Sequence, residues 1–222
     1  MQHGFIPLRV FFEKRGRVKY ISHLDCMRAF TRALGRSGLP LWHTEGFNPH
    51  LYITFALPLP LGCEAERESF DVRLKHDMDS ADVLSSINKC LPPGFQALSV
   101  ATPVNKPVAI EWAEYEIHLR YESRAEKAMQ EMQAFAELPA IEVTKRTKKG
   151  ESLIDIKPHM KLLDASSDDG TLYIKLRLAA GTALNIGAVL YLDAFCKYFG
   201  EKPALTGITR LRLLDKDLLE FE

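Results

Sequence analysis

The sequence has few cysteines and keeps them far apart. The four thiols are Cys26, Cys63, Cys90 and Cys196, and no C-x-x-C pair occurs among them. A structural zinc site or an iron–sulfur cluster needs thiolates grouped at short spacing, so neither is expected here. Small, buried thiols in a reducing compartment are the simpler interpretation.

Long apolar runs are also missing. No stretch of about eighteen apolar residues occurs, so no membrane-spanning helix is expected. The opening segment, MQHGFIPLRVFFEKRGR, lacks the uninterrupted apolar core of a secretory signal. We therefore expect a cytoplasmic protein that does not enter a membrane.

Common motifs of nucleotide and metal chemistry are absent as well. The sequence contains no P-loop, no G-x-G-x-x-G and no G-x-S-x-G. None of the seven histidines stands in H-E-x-x-H or another metal-binding spacing. The missing phosphate-binding loop argues against a nucleotide-driven enzyme, and the sequence predicts no metal and no other cofactor.

What the sequence does contain is clustered basic charge. The net charge is zero, yet residues 9–36 carry eight basic and two acidic residues, and residues 142–161 carry six and three. A neutral protein with two such blocks can still present one basic face. Lysine and arginine on that face would contact the phosphates of RNA without reading its sequence. The candidate phosphate-contacting residues are Lys14, Arg15, Arg17, Lys19, Arg28, Arg32, Lys145, Arg146, Lys148 and Lys149.

The order of predicted elements repeats once along the chain. In each half, a strand, a helix, two or more strands, a second helix and a last strand follow one another. This order predicts an α+β fold of two tandem ferredoxin-like βαββαβ units with antiparallel sheets, as in RRM and RAMP proteins. Residues 1–104 should form the N-terminal domain, which carries the SHLD and GFNPH segments, and residues 105–222 the C-terminal domain.

Residues that are typical N-caps predict where the helices begin. Ser22 is a good N-cap, with Asp25 in the capping-box position three residues later, and the helix should run to about residue 37. The other predicted N-caps are Asp79 or Ser80, Ser123 and Thr182. Strands are predicted near residues 41–44, 51–57 and 68–74, and alternation is cleanest over residues 171–179.

The segment EGFNPHLYITFALPLPLG combines a rigid turn with an alternating strand. Alternation points Ile53, Phe55 and Leu57 toward the core. We expect Asn48 and His50 at one end of the sheet beside Ser22 and His23, where the free N–H groups of the first helix suit a phosphate or carboxylate. The simpler alternative has Asn48 and His50 bonded only to the backbone of their own turn.

Four segments of the sequence resemble the DUF2344 family of radical-SAM-linked proteins. FEKRGRVKYISHLD fits the family pattern F-x-K-x-G-x-x-x-[FY]-[IL]-S-H-L-D, GFNPH and FALPLPLG fit its next two blocks, and VTKRTKKGESLIDIKP resembles its basic turn. Leu51 and Thr54 stand where the family usually has proline and often serine. The resemblance implies a partner of a radical-SAM protein with a cobalamin-type domain. This chain lacks C-x-x-x-C-x-x-C, so it would be the companion and not the catalyst.

Three functions are compatible with the sequence. The first is a non-catalytic, RNA-binding or substrate-presenting companion of a radical-SAM modifying enzyme, with Ser22, His23, Asn48 and His50 lining the site beside the basic residues. The second is a metal-independent, RAMP-like endoribonuclease with His23 or His50 as general acid or base. The third is a protein-interaction module with a basic face. The RAMP analogy is one of fold, and fold alone does not carry function.

Overall fold

The computed structural model describes residues 4–147, 150–182 and 184–222, without the side chains of residues 146 and 147. Within these residues the fold is mixed α/β, with antiparallel strand pairing and four α-helices. None of the described helices combines the length and the apolar character needed to cross a bilayer. The chain divides into two units, Met1–Pro107 together with Glu222, and Val108–Phe221.

Unit 1 consists of a sheet and two α-helices. Its elements are β1 (Ile6–Lys14), α1 (His23–Arg36), β2 (Ile53–Phe55), β3 (Glu64–Leu74), α2 (Ser80–Asn88) and β4 (Phe95–Ala101), with a 3₁₀ helix at Gly16–Tyr20. The sheet order is β4-β1-β3-β2, and every neighbouring pair is antiparallel. Strand β2 therefore lies at one edge of this sheet.

A cluster of phenylalanine rings forms the centre of the unit 1 core. The rings belong to Phe12, Phe30, Phe55, Phe70 and Phe95, and their centroids lie between 4.7 and 6.3 Å apart. These are the distances at which tilted and edge-on ring pairs attract one another. Alternation along the strands places one side of the sheet in this core, while α1 and α2 cover it.

The two helix starts predicted in unit 1 are confirmed. The Ser22 hydroxyl accepts a hydrogen bond of 3.1 Å from the backbone N–H of Asp25, and α1 begins at the next residue after this cap. Of the two candidates for α2, Asp79 is the cap, because its carboxylate accepts hydrogen bonds from the N–H groups of Ala81 and Asp82. Each cap satisfies backbone donors that the first turn of a helix leaves free.

Unit 2 has its own sheet and an additional hairpin. The elements are β5 (Trp112–Arg120), α3 (Ala125–Ala136), β6 (Glu142–Thr147), β7 (Gly150–Asp155), β8 (Met160–Asp168), β9 (Thr171–Ala179), α4 (Ala188–Phe199) and β10 (Leu205–Leu214). The strands β10, β5, β9 and β8 pair antiparallel in that order. Strands β6 and β7 form a separate two-stranded sheet.

Unit 2 departs from the sequence prediction at two helix starts and one strand. Helix α4 begins after Gly187 and not after the predicted cap Thr182. Helix α3 begins after Arg124, and the predicted cap Ser123 lies inside a short 3₁₀ turn. Neither helix start has a hydrogen bond to a capping side chain. Strand β8 was not predicted, because MKLLDASSD has no β-branched or aromatic residue. Pairing with β9 makes it a strand despite that composition.

Candidate nucleic-acid interface

The SHLD segment and the strand that follows GFNPH meet where α1 begins. The imidazole of His23 stands edge-on to the ring of Phe55 on β2, with 5.4 Å between their centroids. On the neighbouring 3₁₀ helix, the carbonyl of Lys19 accepts a 2.8 Å hydrogen bond from the N–H of Gly62. The two segments therefore lie side by side in unit 1.

A small cavity lies beneath this meeting point. Its walls are Phe12, Lys14, His23, Cys26, Phe55, Leu57, Leu59 and Glu68, and its volume is about 10 Å³. Lys14 and Glu68 are only 2% and 3% exposed, so two buried side chains of opposite charge line the cavity together with His23 and mainly apolar residues. A volume of this size holds about one water molecule. It cannot accept a nucleotide as it stands.

The position of Lys14 differs from the sequence expectation. Lys14 was predicted to contact phosphate on a basic surface, but it is buried and lines the same cavity as Phe12. Alternation along β3 places Glu68 on the side of Phe70 and Val72. Glu68 was not predicted as a site residue, although its position two residues before Phe70 indicates that both side chains lie on the same face of the strand.

The thiol of Cys26 in the cavity wall is not activated. Burial raises the pKa of Cys26 to about 11; the nearby Lys14 opposes the shift and the Glu68 carboxylate adds to it. A thiol with this pKa stays protonated near neutral pH, whereas a cysteine nucleophile reacts as the thiolate. The cavity therefore lacks an activated nucleophile at Cys26.

His50 lies at the tip of a short hairpin that the bridge between His43 and Leu51 closes. The N–H of Thr44 donates to the carbonyl of His50 at 2.8 Å, and the N–H of His50 donates to the Thr44 hydroxyl at 3.1 Å. The Nδ1 atom of His50 lies 2.9 Å from the same hydroxyl and 3.2 Å from the carbonyl of Asn48. Thr44 thus fixes the imidazole within its own turn.

The cavity beside His23 is not the predicted pocket of two imidazoles and an amide, and that pocket stays a prediction. The cavity that contains His23 includes neither Asn48 nor His50. Both of these residues are exposed at the hairpin tip, next to the fully exposed ring of Phe47. Ile53 and Phe55 do pack against the core, and Leu57 is buried, as alternation predicted.

Several predicted phosphate contacts are paired with acidic side chains. Arg15 donates to Glu13 at 2.8 Å and to Glu66 at 3.3 Å, and Lys19 lies 3.2 Å from Glu64. Exposed pairs of this kind contribute about 0–1 kcal/mol each, so a phosphate can compete for the cation. The pairing nevertheless reduces the free basic charge of the segment before α1.

One stripe of α1 is exposed and carries mainly arginine. Leu24, Arg28, Arg32 and Arg36 follow one another at four-residue spacing, which places them on one helix face. We call these four residues the α1 stripe. Arg28 bonds Asp25 at 3.0 Å and Arg36 donates to the carbonyl of Cys90.

Three exposed arginines of this region have no acidic partner. Among the described residues, none of Arg17, Arg32 and Arg36 has a carboxylate within ion-pair distance. On the 3₁₀ helix Gly16–Tyr20, positions three apart share a face, so Arg17 stands beside Tyr20, whose ring is 68% exposed. A guanidinium group and an open aromatic ring thus lie side by side on this 3₁₀ helix.

Only part of the second basic block, residues 142–161, lies within the described residues. Lys145 lies on β6, where its ammonium group donates a 2.9 Å hydrogen bond to the carbonyl of Asn185. The side chain of Arg146, together with Lys148 and Lys149, lies outside the described residues. Their part in phosphate binding stays a prediction.

The family of the chain is established by its match to a family model. The model of DUF2344, described as an uncharacterized protein conserved in bacteria, matches residues 7–187. This α/β protein belongs to the DUF2344 family. No curated protein matches it.

Two solved structures show a remote similarity. A chain in the crystal structure of a Cbf5-Nop10-Gar1 complex is 11% identical, with a TM-score of 0.47 over 92% of this chain and 48% of that one. The present chain thus spans about half the length of that protein. An unknown protein from Galdieria sulphuraria is 17% identical, with a TM-score of 0.27 over 93% and 98% of the two chains. At these TM-scores neither structure bears on function.

Proposed function

We propose that this protein is a non-catalytic, RNA-binding companion of a radical-SAM modifying enzyme. The observation that carries the RNA part is the set of exposed arginines in unit 1, namely Arg17, next to the open ring of Tyr20, and the arginines of the α1 stripe. Guanidinium groups bind phosphate oxygens through charge-assisted hydrogen bonds, and aromatic rings stack on unpaired bases. The radical-SAM partner is inferred from the family resemblance.

We infer further that both units are ferredoxin-like, as in RRM and RAMP proteins. When the sheet strands are numbered within each unit, both sheets have the order fourth, first, third, second. This order, with a helix after the first strand and another after the third, is that of a βαββαβ unit. The β6–β7 hairpin is then an insertion between α3 and the second sheet strand of unit 2.

The endoribonuclease alternative has less support from the geometry. A general acid–base mechanism needs an imidazole within hydrogen-bond reach of the reacting 2′-hydroxyl or leaving oxygen. The cavity beside His23 has room for about one water molecule, and the Nδ1 atom of His50 is engaged by Thr44. Binding without cleavage is the function that these surroundings favour.

Crosslinking in cells tests the proposal at the level of the natural ligand. The tagged protein is crosslinked, purified under denaturing conditions, and its bound RNA is sequenced. We expect one or a few RNA species, enriched over a matched charge-reversal variant of the α1 stripe, with crosslinked peptides from residues 15–36. Recovery of the same RNA background from both proteins would contradict RNA binding through this surface.

A further inference from the structure

A cluster of one arginine and three aromatic rings lies on the other face of the unit 1 sheet. Along β3, Val72 and Leu74 point into the phenylalanine core, so Arg73 between them points to the opposite face. The centre of its guanidinium lies 3.8 Å from the centroid of Phe5, 3.9 Å from that of Tyr52 and 5.0 Å from that of Trp42. We call Phe5, Trp42, Tyr52 and Arg73 the Arg73 stack.

Backbone hydrogen bonds hold the stack in place. The N–H of Trp42 donates to the carbonyl of Arg73 at 2.8 Å, and the N–H of Tyr52 donates to the carbonyl of Trp42 at 3.3 Å. The rings of Trp42 and Tyr52 meet edge-on with centroids 6.0 Å apart, and Phe5 lies 5.4 Å from Trp42. The stack is therefore the base of the hairpin whose tip carries His50.

The charge of Arg73 is compensated differently from that of other sheet arginines. Arg9 on β1 makes two hydrogen bonds to Asp71, at 2.7 and 2.8 Å, and Arg177 on β9 makes two to Glu114. In the described part of the chain, Arg73 has aromatic faces around it and no carboxylate partner. All four members of the stack are partly exposed, so part of this aromatic and positively charged surface is open to solvent.

We propose that the Arg73 stack binds unpaired nucleobases of a single-stranded RNA segment, an inference that rests on the proposed RNA binding. Bases stack on aromatic rings and on guanidinium planes, and the uncompensated cation suits the adjoining phosphates. These two properties together fit a nucleic acid strand better than an apolar peptide, because an apolar peptide would bury the charge of Arg73 without a compensating negative charge.

The edge strand β2 connects this stack to the α1 side of unit 1. Tyr52 belongs to the stack, and five residues later Leu57 lines the cavity beside His23. At the rise of an extended strand this separation is about 17 Å. A strand of several nucleotides that follows this edge would place its bases on the Arg73 stack and other phosphates near α1.

Fluorescence of Trp42 tests the inference directly. The chain has two tryptophans, Trp42 and Trp112, so W112F leaves Trp42 as the reporter. This protein is titrated with a single-stranded RNA decamer, with an abasic decamer of the same backbone, and with a blunt RNA hairpin. We expect the base-bearing decamer to quench Trp42 and the abasic decamer to leave its emission unchanged.

Two variants of the stack and one matched control complete the experiment. Y52L and R73K should each weaken binding of the decamer roughly 5- to 150-fold, which is the change in affinity that corresponds to the loss of one stacked base. Their affinity for the hairpin should stay unchanged. The control is R67K, because Arg67 also stacks on a ring, that of Phe11 at 3.9 Å, but this ring is only 3% exposed. Circular dichroism of each variant establishes that it is folded.

The outcomes separate this inference from the proposed function. Hairpin binding without any quenching of Trp42, or equal affinity for the abasic and base-bearing decamers, would overturn the stack as a base-binding site and leave RNA binding by α1 intact. Failure of all three RNAs to bind would contradict both. Quenching of Trp42 by a protein partner and by none of the RNAs would assign the surface to protein and also overturn the inference.

Discussion

The imidazole of His23 and the ring of Phe55 meet edge-on at 84°, with 5.4 Å between their centroids. This contact joins the first turn of α1 to the edge strand β2 and closes one side of the cavity that Lys14 and Glu68 line. Its position gives His23 a packing role that needs no ligand. A catalytic imidazole would instead need space for a substrate beside it.

We expect H23A to lower the stability of the protein and to leave RNA binding by the α1 stripe intact. Aromatic pairs contribute about 0.5–1.5 kcal/mol beyond area burial, so the free energy of unfolding should fall by about 1 kcal/mol or more. Urea denaturation provides the measurement. The control H76A removes an exposed histidine and should change stability by less than about 0.5 kcal/mol. Equal stability of H23A and wild type would contradict the packing role.

Glu114 should make the stability of the protein sensitive to acid. Burial alone would raise the pKa of Glu114, but hydrogen bonds from Arg177 and Arg212 outweigh it and hold this pKa below its ordinary value. A carboxyl with a lower pKa in the folded state stabilises the protein above the unfolded-state pKa of about 4.3. That stabilisation is lost as the pH falls through the folded-state pKa.

The substitution E114Q tests this pH dependence. It should reduce the free energy of unfolding at pH 7 by about 1–3 kcal/mol, since it removes the charge that pairs with two partly exposed arginines. It should also make the acid side of the curve of stability against pH less steep. The matched control E116Q lies on the same strand, where the Glu116 side chain is only half-buried. An acid limb that is as steep in E114Q as in wild type would refute the assignment.

The cleavage alternative makes an opposite prediction for RNA integrity. A metal-independent endoribonuclease would cut RNA in EDTA and leave 2′,3′-cyclic phosphate ends. Because the cavity beside His23 is water-sized, we expect total tRNA and ribosomal RNA fragments to stay intact after incubation with the protein in EDTA. End-specific sequencing of the products detects such ends. Specific cuts that disappear in H50A would favour the enzyme over the companion.

The regular parts of the fold were predictable because local signals agreed with the tertiary structure. The clean alternation over Thr171–Ala179 coincides with β9, and the Ser22 hydroxyl caps α1 as its spacing indicated. In the same way, Asp79 provides the carboxylate that the first turn of α2 needs. At these places propensity, periodicity and capping chemistry all favour one structure.

The site was harder to predict because contacts between distant residues form it. The hairpin around GFNPH depends on the bond between Thr44 and His50, and only one isolated bridge, His43 with Leu51, marks its strands. The Arg73 stack takes its arginine from β3, two rings from the two sides of that hairpin, and the third ring from Phe5 just before β1. Neither arrangement has a period in the sequence that would reveal it.

Salt-dependent RNA binding by an α1 variant is the most direct test of the central claim. The double variant R28E/R32E reverses two exposed charges of the α1 stripe, and K127E/K161E makes the same charge change on exposed lysines of unit 2. Affinity for a structured RNA is measured by fluorescence anisotropy over a series of salt concentrations. Removing one cation that binds a phosphate should reduce the slope of log K against log salt by about 1. We predict weaker binding and a shallower slope for R28E/R32E, with K127E/K161E close to wild type; equal affinities and slopes for all three proteins would contradict RNA binding through α1.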